Sequence, residues 1–196
     1  MSKIGISGFR YAKQTTEESS TADATYGTVT AVPGLVSIEV STEAQQSTLY
    51  ADNGPYETAS AMGAVNVTVD LADLPLSVQA DLLGHTLDTT TASNPKLTKK
   101  SGDTAPYVCI MFEFLMGNGQ KRCVKLYKGR FAEPTDSGQT KGENVEFQTS
   151  QITAQFVALK GKANNAGKWE YLADYASDAD TSGFYSATIV PADPVG

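Results

Sequence analysis

The residues able to do chemistry are few and poorly grouped. The chain holds a single histidine, His85, and two cysteines, Cys109 and Cys123. A Ser-His-Asp relay would have to use His85, which directly follows Gly84 at the end of a helical pattern. A histidine there is expected to cap the helix or complement its dipole. Asp70 and Asp73 flank a strand-to-helix junction, where capping and solvation explain carboxylates better than acid–base work. Asp178-Ala179-Asp180-Thr181-Ser182-Gly183 has the opening of a calcium loop, but its twelfth position is Ile189 rather than a bidentate Glu. Gly117-Asn118-Gly119 is too short to cradle phosphate and reads as a hairpin turn.

The cysteines sit in two strand-like runs joined by that turn. A two-residue turn places Cys123 opposite Phe114 and sends Cys109 to the other face. A three-residue loop places Cys123 opposite Glu113, with Cys109 well along the strand. Neither register brings the sulfurs within bonding reach, so both are expected to be free thiols. No catalytic residue, metal or cofactor is expected, and the chain does not read as an enzyme.

The elements follow from hydrophobic periodicity. Val36-Ser37-Ile38-Glu39-Val40-Ser41 and Ala64-Val65-Asn66-Val67-Thr68-Val69-Asp70-Leu71 alternate cleanly, as half-buried strands do. Thr48-Leu49-Tyr50-Ala51-Asp52 is a further strand ending at Asn53-Gly54-Pro55, with a loop expected over 53–62. The period then turns helical, with Leu74, Val78 and Leu82 on one face, Asp73 at the start, Pro75 in the first turn and Gly84 past the end. A first strand is expected around 8–12 and another over 28–32, broken by Pro33-Gly34. A hairpin is expected over 107–131, with Ile110, Phe112 and Phe114 on one face. Strands follow at Val145-Glu146-Phe147-Gln148, at 152–159 and at Trp169-Glu170-Tyr171-Leu172. Residues 85–105 and 133–142 read as long polar loops.

The expected fold is mainly β: two packed antiparallel sheets, sandwich- or barrel-like, of about eight strands. One flanking α-helix lies near 73–83, and long loops complete a single domain over 1–196. The 196 residues, 40% of them hydrophobic, suffice for such a core, and the net charge of −7 argues against a protein that grips nucleic acid. No apolar run reaches membrane-spanning length, and the first residues lack the apolar region of a signal peptide, so cytoplasmic folding is expected.

Several stretches, in order along the chain, carry a family likeness. They are Phe9-Arg10-Tyr11-Ala12, Thr48-Leu49-Tyr50-Ala51-Asp52-Asn53-Gly54, Ala80-Asp81-Leu82-Leu83-Gly84 and Ala105-Pro106-Tyr107-Val108. After them come Asn118-Gly119-Gln120-Lys121-Arg122, Lys125-Leu126-Tyr127-Lys128 and the segment 140–149. Together they resemble the major tail proteins of long-tailed bacteriophages, the subunits of the tail tube. The resemblance implies a fold similar to the type VI secretion tube protein, six subunits per ring, and rings stacked into a tube. It implies a virion location after assembly in the host cytoplasm. The implied partners are further copies of the chain, the tape-measure protein in the lumen, and terminator and initiator proteins at the ends. Double-stranded DNA would pass through without specific binding. On this reading Tyr50, Asp52, Asn53 and Tyr56 are expected at a subunit interface, and the exposed-face acids Glu39 and Asp70 toward the lumen. The loops over 45–62 and 85–105 are expected to make contacts between copies. The competing reading is a monomeric β-sandwich binding module, carbohydrate-binding or adhesin-like. It would expose a row of aromatics, whereas Trp169 is the one Trp and most of the other aromatics alternate into core positions.

Overall fold

A computed structural model describes residues 2–91, 94–135, 140, 149–161 and 165–186. The expected strand at 145–148 lies outside them, as do most of segment 140–149, the end of the tail and Ile189. Among the described residues eleven strands and one α-helix follow one another. The strands are β1 (Lys3–Thr16), β2 (Thr25–Tyr26), β3 (Thr30–Ala31), β4 (Leu35–Ala51) and β5 (Gly54–Leu71). After α1 (Leu76–Leu83) come β6 (Thr86–Asp88), β7 (Lys96–Thr98), β8 (Val108–Met116), β9 (Lys121–Phe131), β10 (Ser150–Val157) and β11 (Glu170–Tyr175). A 3-10 turn, Ser182–Tyr185, closes the described chain.

The strand order is β2-β1-β8-β9-β10-β5-β4, antiparallel throughout, with β3 beside β1. The sheet forks at β9. One edge of β9 pairs with β8; the other pairs with β11 over residues 121–126 and with β10 over residues 128–131. The fork lets β10-β5-β4 turn back over β1-β8-β9, so antiparallel sheet packs on antiparallel sheet. β1 passes close to β4 without pairing with it, and no barrel closes among the described residues.

The principal core lies between these layers. Val65, Val67, Val69 and Leu71 of β5 with Ile152 and Phe156 of β10 face Phe9, Tyr11, Ile110, Phe112 and Leu126, and α1 adds Val78, Leu82 and Leu83. Burying each such side chain contributes about 2 kcal/mol before strain and entropy. A second cluster lies on the opposite face of β8 and β9, where Cys109, Met111, Cys123 and Tyr127 are covered by Tyr26, Leu159, Phe184 and Tyr185. Burial on both faces explains why Val108–Met116 is a nearly continuous apolar run rather than an alternating one.

Several expectations are corrected. Residues 53–62 are not a loop: β4 and β5 form one hairpin with a two-residue turn at Asp52-Asn53. The segment 85–105 contains the β6–β7 hairpin. The helix begins at Leu76 with Pro75 in the cap position and no side-chain cap bond, so Asp73 does not cap it. Its other end is as expected, with Gly84 left-handed at φ 77° and donating its N–H to the Ala80 carbonyl.

A candidate self-assembly surface

Two features of β4 and β5 stand apart from the core. The first is an arm. Beyond the bulge at Thr42/Ala44 the hairpin leaves the body of the protein, and the side chains described between residues 43 and 61 are exposed, save the part-buried Gly54 at the turn. Asp52 and Asn53 both adopt positive φ, 51° and 64°, the pair of left-handed residues that a tight hairpin turn demands. A second bulge between Leu49 and Tyr50 leaves Tyr56 unpaired. The tip therefore presents three large side chains to solvent: Leu49 at 59% exposure, Tyr50 at 71% and Tyr56 at 74%. The structure gathers Tyr50, Asp52, Asn53 and Tyr56 at this one tip. A two-stranded hairpin without a packed face is marginal in water on its own.

The second feature is a polar face. The buried valines of β5 fix Asn66, Thr68 and Asp70 on the opposite side of the sheet. Register then aligns three rows across β4, β5 and β10: Ser37-Asp70-Gln151, Glu39-Thr68-Thr153 and Ser41-Asn66-Gln155. Glu39 and Asp70 thus share one face, one residue pair apart. Ser37 Oγ donates to Asp70 Oδ2 at 2.5 Å and Gln151 Nε2 donates to Oδ1 at 3.0 Å, while Asn66 Nδ2 donates to Glu43 Oε1 at 2.8 Å. None of the three strands contains Lys, Arg or His. Asp70 and Glu43 accept from neutral donors, and neither they nor Glu39 form an ion pair among the described residues. This sheet ends at the outer edge of β4, a 17-residue strand with no partner there among the described residues.

The reactive residues lie elsewhere. His85 does not cap α1. Its ring is 3% exposed, with Nδ1 2.8 Å from Asp103 Oδ2 and Nε2 2.5 Å from Glu133 Oε1. The second contact is out of line for a hydrogen bond and leaves Nε2 without a partner in that sense. The His85 hydrogen bond, aided by the Lys100 backbone N–H, holds the Asp103 carboxyl below its usual range. The ring ties the helix end to the chain after β7 and after β9. Nothing in the spacing of 85, 103 and 133 announced this grouping. Cys123 pairs with Glu113, the second of the two registers considered, and both thiols are buried and free. Burial pushes the Cys109 thiol up, away from reactivity. Asp180 accepts from the Ser182 N–H and hydroxyl, both at 2.8 Å, which starts the 3-10 turn. Among the described residues no cluster of three or more His, Cys, Asp or Glu could hold a metal ion, and no helix is long and apolar enough to cross a membrane.

The fold and these surfaces define a mainly β protein of packed antiparallel sheets with one α-helix, carrying an exposed hairpin arm and an acidic sheet face. No protein-family model matches the sequence, and no curated protein matches it. Among solved structures it is similar to the cryo-EM structure of the anti-feeding prophage cap (AFP tube terminating cap). The two share 10% sequence identity at a TM-score of 0.47, over 85% of this chain and 88% of that chain.

Proposed function

We propose that residues 1–196 are one structural subunit that assembles into rings, six to a ring, stacked as the tube of a phage-type tail. The observation that carries this reading is the acidic, cation-free face of β4-β5-β10, which runs out to a long unpaired edge. Edge strands of soluble monomers are usually short, covered or guarded by Lys or Pro. β4 is long and carries neither residue. Pairing that edge in a closed ring removes the liability and makes the polar face a continuous inner wall. Carboxylates without ion-pair partners on such a wall repel phosphate, so that a duplex passes without adhering. The ordered sequence likeness to phage tail-tube subunits supports the same reading. Its partners would be further copies, a tape-measure protein and duplex DNA in the lumen, and terminator and initiator proteins at the ends.

Negative-stain electron microscopy with mass measurement over a concentration series tests it. Rings or tubes with a central channel are expected; a monomer at every concentration, with and without initiator complexes, counts against it. In virions, Glu39→Lys with Asp70→Lys is expected to leave tubes intact and to slow genome ejection. Normal ejection through normal tubes would remove both residues from the channel wall. A binding-module reading would use the groove of about 540 Å³ between β4, β8 and β11. Its Phe112 is fully buried and packs edge-on against Phe114, so it offers no exposed stacking row.

A further inference from the structure

Asparagine is followed by glycine at two places in this chain, Asn53-Gly54 and Asn118-Gly119, and both pairs sit at hairpin turns. Such a pair is chemically labile. The main-chain nitrogen of the second residue can attack the side-chain carbonyl carbon of the first, and glycine has no side chain to obstruct it. The structure gives the two pairs opposite surroundings. Asn118 is held: its Oδ1 accepts from the Gln120 N–H at 3.2 Å, and its Nδ2 donates to Gln120 Oε1 at 2.5 Å. Gly119 donates its own N–H to the Met116 carbonyl at 2.9 Å. The flanking strands are also paired on their other edges, β8 with β1 and β9 with β11.

Asn53 has none of this restraint. It is exposed, and its side chain makes no hydrogen bond among the described residues. A Cβ built on Gly54 would meet nothing within 4 Å, so nothing crowds the approach to its nitrogen. Gly54 pairs with Ala51 across the turn, and attack waits for that pair to open. The arm has two strands and no packed face, so opening at its tip costs little.

We propose that Asn53 is a site of spontaneous covalent modification, at which the free chain converts its arm tip to a mixture of aspartate and isoaspartate. The Gly54 nitrogen gives its proton to solvent base and bonds to Asn53 Cγ. The Cγ–Nδ2 bond breaks, and Nδ2 leaves as ammonia. Water then opens the resulting five-membered imide at either carbonyl. One product is an ordinary aspartate; in the other, isoaspartate, the main chain runs through Cβ and is one carbon longer. Asp52-Asn53 fills a two-residue turn, so an added main-chain atom disturbs the Ala51–Gly54 pairing and re-aims Tyr50 and Tyr56. Either product adds a negative charge beside Asp52. On the tube reading, on which this consequence rests, the reaction is a clock: a subunit left unassembled loses its arm tip with age.

The experiment ages the purified chain in mildly acid and mildly alkaline buffer, then cuts it after glutamate under acid conditions. This releases residues 44–57 and 114–133 as separate peptides for mass spectrometry with electron-transfer fragmentation. Peptide 44–57 should become about 1 Da heavier, with isoaspartate fragments at position 53. It should do so at least about tenfold faster than peptide 114–133, because its turn opens more readily, and faster in alkali than in acid. Gly54→Ala should slow the change by a similar factor, since a methyl crowds the attacking nitrogen. Gly54 is not left-handed and its added Cβ meets nothing, so the turn accepts it. An unchanged Asn53, or equal rates at Asn53 and Asn118, would overturn the site. Fresh and aged protein are then compared for assembly by sedimentation and electron microscopy. Aged wild type should lose assembly, while aged Gly54→Ala should match its own fresh sample. Modified wild type that assembles as well as fresh protein would overturn the clock. A fresh wild type that never associates, even with initiator complexes, would overturn the tube reading and the clock with it, while the masses at 53 and 118 still decide the modification.

Discussion

At the scale of single residues, the strongest electrostatic commitment is Glu18, which lies in the polar segment after β1. Its carboxylate is 1% exposed and accepts from Lys128 Nζ at 2.6 Å, and it also accepts from the Lys160 backbone N–H and the Gln14 amide. Burial alone would raise its pKa, but these donors win and pull it from 4.5 to about 2. A value depressed on folding means stability that is present above the unfolded value and is lost as pH falls through the folded one. The window is therefore pH 4.5 down to 2, and the contribution is about 3 kcal/mol. Glu18→Gln should cost about that much at pH 7 and very little at pH 2, because the wild type has by then lost the same interaction. Urea unfolding at a series of pH values checks it; a difference that stays constant with pH would show that the pair is not the cause. Tyr56 belongs at this scale too. It is exposed and unpaired, so Tyr56→Ala should leave the unfolding midpoint within about 0.5 kcal/mol of wild type while impairing assembly. Unchanged assembly would remove it from the interface.

At the scale of elements, what was legible had a sustained apolar pattern, on one face of β5 and α1 and on both faces of β8. The alternation over 64–71, the Leu74/Val78/Leu82 stripe with Gly84 behind it, and the 107–131 hairpin about Asn118-Gly119 all appear where the pattern placed them. The arm was half legible: the strand at 48–52 is found in β4, but the run over 53–62 was read as a loop, because the described side chains of the arm are exposed on both faces and lack an apolar alternation. β6 and β7, three residues each, are too short to carry one. The helix start was misplaced because Asp73 has the chemistry of a cap but the chain enters the helix at Pro75, whose fixed backbone angle needs no side-chain bond. Of the candidate site, the Tyr50–Tyr56 cluster and the shared face of Glu39 and Asp70 were within reach of sequence, whereas the His85 grouping joins residues 48 positions apart. Gly84 gives an element-scale prediction. A Cβ there would meet the Thr104 carbonyl oxygen, on a backbone at φ 77° that side chains disfavour. Gly84→Ala should cost about 2–3 kcal/mol, seen as a lower urea midpoint at unchanged slope. A neutral outcome would mean that the chain at Thr104 gives way freely.

At the scale of the whole molecule, β5 joins two unlike ends: the exposed, aromatic-tipped arm, and α1 with the β6–β7 hairpin, where acids and lysines are interspersed. The fork at β9 has a consequence of a different kind, for the order in which the chain becomes native on the ribosome. β9 needs β8 on one edge and both β10 and β11 on the other, and β8 in turn needs β1, more than a hundred residues earlier for pairs such as Ile6 with Phe114. Among the described residues β11 is the last strand to be synthesised. Until it arrives, half of β9 remains an open edge and the cluster around Tyr127 lacks the cover of Phe184 and Tyr185. Pairing over such long separations is slow, and exposed edges in the meantime invite aggregation. Closure of the β9 edge and of the cluster around Tyr127 thus waits until the chain through Tyr185 has left the ribosome.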